Sequence, residues 1–235
     1  MKTKLVKEET KIDESEELNI KKIMIKNKNN MKKESWEWRC FHKEEKLSNS
    51  ALKLVDLNLP KPKHINYTDQ YVIIPKLTHN IKLREKKDQN RKELHIKTIT
   101  KAQNNIFKFS RKSILSFPIM KKDLLILKRL NILNENNETK SLDYIKNIFE
   151  TENNNSLLCF VKKNITRYNI KKDMSKLKKD LRLEFANIYI NNSPFKTISL
   201  KCTSKTVIIE MLQRLDMLDL ERTNYVNYIK SLEKK

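Results

Sequence analysis

Five short segments place charged or polar side chains at every second position. They are Lys82 and Arg84 in Asn80–Arg84, Glu93, His95 and Lys97 in Glu93–Thr100, Arg182 and Glu184, Thr197, Ser199 and Lys201, and Glu37 and Arg39. Successive side chains of a strand point to opposite faces, so a period of two gathers each set on one face. Lys and Arg gathered this way can grip phosphate oxygens through charge-assisted hydrogen bonds. Carboxylates on the same faces can hold a hard divalent cation. An antiparallel sheet with one wet face also alternates. Here, however, the polar faces are rich in full charges at their centres, and both signs recur on the same faces. A closed barrel with a charged interior gives that pattern. Like charges would repel inside it, so it needs acids, metal ions or an anionic ligand. A triphosphate held by Lys and Arg, with a divalent cation on carboxylates, satisfies both signs.

The elements that must position these residues follow from period and punctuation. Strand patterns run from Trp36 to Phe41, Gln70 to Pro75, Asn80 to Arg84, Glu93 to Thr100, Leu157 to Tyr168, Leu181 to Ile190 and Phe195 to Cys202. Pro60 and Pro62 predict an extended connection over Asn58–Tyr67. Glu85–Lys92 reads as a polar hairpin loop. Helical spacing appears in Lys121–Leu133, Ser141–Glu150, Thr206–Leu218 and Asn224–Leu232. The expected fold is therefore α+β, an antiparallel eight-stranded barrel or tunnel with helices packed on its exterior. Residues 1–33 are expected to form a disordered charged tail, with a short helix near Leu18–Ile25, and residues 34–235 the tunnel domain.

Composition limits the chemistry. The 235 residues include 51 Lys and Arg against 29 Asp and Glu, a formal charge of +22, and no Gly. Without Gly, neither a P-loop nor a dinucleotide fingerprint can be built, so phosphate must be held by side chains. A Gly-flanked nucleophile elbow is excluded as well, and no catalytic residue is assigned. The basic excess peaks in residues 101–180, which hold 18 basic and 8 acidic side chains. Lys, Asn and Ile dominate, so drift towards AT-rich codons competes with selected basicity as its origin. Lys171, Lys172, Lys176, Lys178 and Lys179 read as a solvated loop or helix face. Cys40, Cys159 and Cys202 lie far apart with no metal spacing, and read as small buried residues in a reducing compartment. No apolar run of about 20 residues is present, and the acid-rich start fits no secretory signal. A cytoplasmic location is expected.

The charged segments also occur in a telling order. Glu37-Trp-Arg, Asn80-Ile-Lys-Leu-Arg, Glu93-Leu-His-Ile-Lys, Val161 with Lys162 and Lys163, Arg182-Leu-Glu, and Thr197-Ile-Ser-Leu-Lys together resemble the CYTH or triphosphate tunnel superfamily. The closing stretch Met211–Leu232, with Asn224-Tyr-Val, is similar to a bacterial CYTH-like subgroup. The resemblance implies an eight-stranded antiparallel tunnel that binds phosphate chains, often with Mg or Mn, and often hydrolyses triphosphates. It implies phosphate binding by Lys82, Arg84, Lys97, Arg167, Arg182 and either Lys162 or Lys163, and metal binding by Glu37 and Glu184. The chain departs from the family at two places. The opening Glu-x-Glu-x-Lys strand reads Glu37-Trp-Arg39-Cys-Phe41, so Arg39 stands for an acid and the Lys is missing. The late acid is Lys201. Cations at both places would repel a divalent ion, which suits binding better than two-metal hydrolysis.

Other candidates are weaker. His95 reads as a polar barrel residue or a general base. His42, His64 and His79 are expected in loops with no shared ligand spacing. The alternative function is that of a basic nucleic-acid-associated, ribonucleoprotein-type protein, on the strength of the charge and the basic middle third. Trp36, Trp38 and Phe41 cluster, but no RNP-like pattern accompanies them.

Overall fold

The computed structural model describes residues 34–42, 59–74, 79–86, 91–110, 113–129, 140–151, 157–175 and 177–233. The expected tail at 1–33, its short helix, and part of the expected 85–92 loop lie outside the described residues.

Among the described residues, nine strands form one antiparallel sheet: β1 (Ser35–His42), β2 (Lys63–Ile73), β3 (His79–Lys86), β4 (Arg91–Gln103), β5 (Ile106–Phe109), β6 (Ser113–Ser116), β7 (Leu157–Ile170), β8 (Leu181–Ile190) and β9 (Ser193–Cys202). The order is β3-β2-β7-β8-β9-β1-β5-β4, and a further β3–β4 pairing closes the circle. Eight strands therefore make the barrel. The ninth, β6, pairs with Glu93–Ile96 of β4, while β5 pairs with β4 beyond a register shift between Ile99 and Lys101. The α+β barrel expected from the sequence is the fold observed.

Two of the boundaries differ from expectation. Lys63–Tyr67 is not a connection but the first half of β2, which pairs with β7 from Lys63↔Arg167 to Ile73↔Leu157. His42, His64 and His79 lie in β1, β2 and β3 rather than in loops. Two tight hairpins, β4–β5 and β8–β9, turn through Asn104-Asn105 and Asn191-Asn192, all with φ between 45° and 69°. Such turns need positive φ at both central residues. A chain without Gly meets that need with Asn, the residue most tolerant of the left-handed region after Gly.

The helices are α1 (Lys121–Arg129), α2 (Leu142–Thr151), α3 (Lys172–Ser175), α4 (Lys205–Arg214) and α5 (Tyr225–Leu232). The outer apolar positions of β1, β8 and β9, among them Trp38, Leu183, Ile198 and Leu200, pack under Val207, Ile208, Met211 and Leu212 of α4. Full burial of each such side chain stabilises by about 1.5–3 kcal/mol. The outer positions of β3, β4 and β6 pack under α1 and α2 through Leu124, Leu127, Ile145 and Phe149.

Helix α5 does something else. Its Tyr225, Val226 and Ile229 cluster with Phe41, Ile73, Val161, Ile188 and Phe195. Phe41, Ile73 and Val161 share the strand faces of Arg39, Asp69 and Lys163, which point into the barrel. Asn224 caps the helix, its side chain accepting from Asn227 N at 3.0 Å. The approach is pinned where β1 has parted from β5: Arg222 bridges Cys40, and Thr223 N donates to Arg39 O at 2.9 Å. Helix α5 thus closes one end of the barrel interior with apolar side chains.

Candidate functional site

The charged faces read from the sequence do converge inside the barrel. Register places Lys82 beside His95, Arg84 beside Glu93, Arg182 and Glu37 each beside Lys201, and Arg167 and Ser199 each beside Glu184. Directly paired residues of an antiparallel ladder share a face. Among the described residues the buried or half-buried inward positions carry Arg39, Lys82, Arg84, Lys97, Lys163, Arg167, Arg182 and Lys201 as cations. Their carboxylates are Glu37, Asp69, Glu93 and Glu184, four acids against eight bases.

The deepest group is one that sequence reasoning missed. Asp69 is fully buried on β2. Its carboxylate accepts from Lys82 Nζ at 2.8 Å, from Lys163 Nζ at 2.8 Å, and from Arg84 as a fork, Nε at 2.6 Å and Nη2 at 2.9 Å. Lys163 also donates to Tyr71 Oη at 2.7 Å. Burial opposes the charged form of Asp69, but Lys163, Lys82 and Arg84 outweigh it and hold the carboxyl well below its usual range. The lysines feel the same crowding. Burial brings Lys163 down to about 8 although Asp69 resists, and burial also lowers Lys82. Aromatic rings floor this cluster. Tyr225 of α5 lies 3.9 Å from Lys163 Nζ and 4.6 Å from the Arg39 guanidinium, and Tyr67 lies 3.8 Å from that of Arg84. Such contacts favour a cation where water is scarce.

A second cluster centres on Arg39. Its Nη2 lies 3.2 Å from Glu37 Oε1 and 3.8 Å from Glu184 Oε2, and its Nη1 donates to Thr197 Oγ1 at 3.2 Å. Lys97 reaches the other Glu37 oxygen at 3.3 Å, and Arg167 Nε reaches Glu184 at 2.7 Å. Burial works against both carboxylates. Even so, Lys97 and Arg39 hold Glu37 below its usual range, and Arg39 and Arg167 do the same to Glu184. Lys201 is lowered to about 8 by burial and by Lys97. A third contact joins His95 Nε2 and Glu93 Oε2 at 2.7 Å, both residues being buried.

Every candidate can now be placed. Lys82, Arg84, Lys97, Arg167 and Arg182 line the interior with Glu37 and Glu184. Of the adjacent lysines, Lys163 points inward and is buried, whereas Lys162 is exposed on the outer face opposite Thr68 and Tyr189. Lys162 is thereby separated from the other seven. Cys40 and Cys202 pack beneath α4, Cys159 packs inside near α5, and all three are free and buried. Burial raises the thiols of Cys40 and Cys159 to about 11, so neither is poised as a nucleophile.

The donor set does not fit a divalent cation. Arg39 sits between Glu37 and Glu184, the two carboxylates that would have to share one, and every oxygen pair is already engaged by cations. The described residues contain no group of three or more His, Cys, Asp or Glu able to hold a metal. The orphaned atoms point the other way. Arg39 Nε and Arg182 Nε are buried donors with no hydrogen-bond partner among the described residues. An N–H donor needs an acceptor, which phosphate oxygens supply, and a buried donor left unpaired costs about 1–3 kcal/mol.

No family model matches the chain, and no curated protein does. Solved structures are similar to it at low identity. A conserved hypothetical protein from Pyrococcus furiosus is 16% identical, with a TM-score of 0.49, over 82% of this chain and 98% of that one. The PH1012 protein from Pyrococcus horikoshii OT3 is 13% identical, with a TM-score of 0.47, over 81% and 98%. The RNA triphosphatase domain of a trifunctional mimivirus mRNA capping enzyme is 12% identical, with a TM-score of 0.45, over 88% and 98%. Among the described residues, no helix is long and apolar enough to cross a membrane.

Proposed function

We propose that the barrel interior binds triphosphate- or polyphosphate-type anions, and that it does so without a divalent metal. The observation that carries this reading is the unbalanced interior: eight cations face four carboxylates, and two buried arginine N–H groups have no acceptor among the described residues. A chain of phosphates supplies the missing negative charge and the missing acceptors together. Arg39, Lys97, Arg167, Arg182 and Lys201 would take the outer oxygens, and Lys82, Arg84 and Lys163 the inner ones by sharing them with Asp69. Glu37 and Glu184 act as resident counter-ions that keep the empty barrel foldable. Hydrolysis is a weaker reading, because the carboxylates that would carry two cations are bridged by Arg39.

The test is thermal unfolding with tripolyphosphate in the presence of a chelator. A ligand that binds only the native state raises the midpoint, by about 2.7 kcal/mol of stability at a hundred times its dissociation constant. An unchanged midpoint at millimolar tripolyphosphate refutes the proposal. Assay of released phosphate separates a binder from an enzyme.

A further inference from the structure

Among the described residues, the helices leave one part of the barrel wall uncovered. Strands β2, β7, β8 and β9 are consecutive neighbours. The cluster beneath α4 covers the outer faces of β8 and β9 as far as Phe185 and Ile198 and that of β7 as far as Tyr168, and the cluster beneath α1 and α2 reaches β2 and β7 at Val72 and Leu158. Between them two rings stand out of the sheet: Phe160 is 56% exposed and Tyr189 is 41% exposed. Lys162 lies directly opposite Tyr189 and two residues from Phe160 on the same strand face. Phe160 and Tyr189 are therefore diagonal cross-strand neighbours, roughly 7–8 Å apart. The next row outward runs Asn164↔Asn187↔Lys196. No Asp or Glu occupies any outward position of these four strands.

We propose that this outer face is a docking surface for single-stranded nucleic acid. Two adjacent exposed rings let successive bases stack, a contact indifferent to sequence because every base has a π-face. Lys162 and Lys196 meet the phosphates with no carboxylate to oppose them. The Asn164 and Asn187 amides offer both donors and acceptors to base edges. A second copy of the chain fits less well. A two-fold interface matches a patch to itself, which would press lysines against lysines with no acid between them. The surface lies on the opposite side of the barrel wall from the anion site, and it stands or falls independently of that site.

The experiment is fluorescence anisotropy of the full chain with a labelled single-stranded RNA of about 12 nucleotides that carries no terminal phosphate. Binding at low salt is expected. The double variant Phe160→Leu/Tyr189→Leu keeps apolar area but loses both stacking faces. It should bind about tenfold more weakly or worse, with an unchanged thermal midpoint because both rings are exposed. Lys162→Gln should lower the slope of log affinity against log salt by about 1. Failure to bind the single strand, or equal affinity in the Leu double variant, overturns the proposal. So does a dimer that the double variant disperses and RNA does not, since the occupant would then be a second copy.

Discussion

Lys163 Nζ donates to Asp69 Oδ2 at 2.8 Å, joining β7 to β2 inside the barrel. Asp69 is fully buried, and three cations depend on it. Removing one partner of a buried ion pair costs about 3–5 kcal/mol, because the charge left behind is uncompensated. Asp69→Asn should therefore lower stability by about that amount. The freed cations should then give tripolyphosphate a larger stabilising effect than in the unsubstituted chain. Chemical denaturation with and without the ligand reads both quantities. A variant as stable as the parent would show that the cations find other partners.

Arg39 fixes the metal question. Its guanidinium bridges Glu37 and Glu184, so a divalent ion would have to displace it. Calorimetric titration of tripolyphosphate should give the same affinity with chelator as without. Added Mg should weaken binding, by complexing the ligand in solution rather than by filling the barrel. Affinity that appears only with Mg would contradict this.

Much of the barrel could be read from the chain because five strands are apolar on one face and charged on the other. Leu183 and Phe185 face outward and Arg182 and Glu184 inward, so period two is plain in the residue order. Asp69 escaped for a physical reason. Tyr71 and Ile73 are buried by α5 inside while Val72 and Ile74 are buried outside, so the end of β2 from Tyr71 onward reads as a continuous apolar run with no visible period. Alternation counted back from Ile73 through Tyr71 would have placed Asp69 on the inner face. Lys162 and Lys163 could not be separated because two adjacent lysines give no phase, and only the pairing with β2 supplies it. Strands β5 and β6, four residues each, are too short to carry a period.

Binding should depend on pH in a stated direction. Lys163 and Lys201 titrate near 8 in the folded chain, against a usual 10.5. As pH rises through 8 both lose charge, so tripolyphosphate affinity should fall between about pH 7 and 9. The ligand-free chain should show the opposite trend. Its folded pKa values lie below the unfolded ones, so between 8 and 10.5 the unfolded state holds more protons, and these two groups make stability rise with pH. Midpoints measured across this range with and without ligand should converge. A ligand-induced shift that is constant across it would exclude both lysines from the site.

Helix α5 should be separable from the charged site. Ile229 is buried against the inner apolar faces, and Tyr228 stacks on Phe41 at 4.1 Å between ring centroids. Tyr225, one turn earlier, packs edge-on against Phe41 and also touches Lys163 and Arg39. Ile229→Ala empties only the apolar end and should cost about 2–5 kcal/mol. Hydrogen exchange should quicken in Tyr225–Leu232 before it does in β8 or β9, which pair on both edges. Tyr225→Leu keeps most of the apolar volume but removes the ring from both cations, so it should weaken anion binding more than it weakens the fold. If Tyr225→Leu lowers stability and leaves tripolyphosphate affinity intact, the ring serves packing alone, and the floor of the anion site must be assigned to Tyr71 and Tyr67.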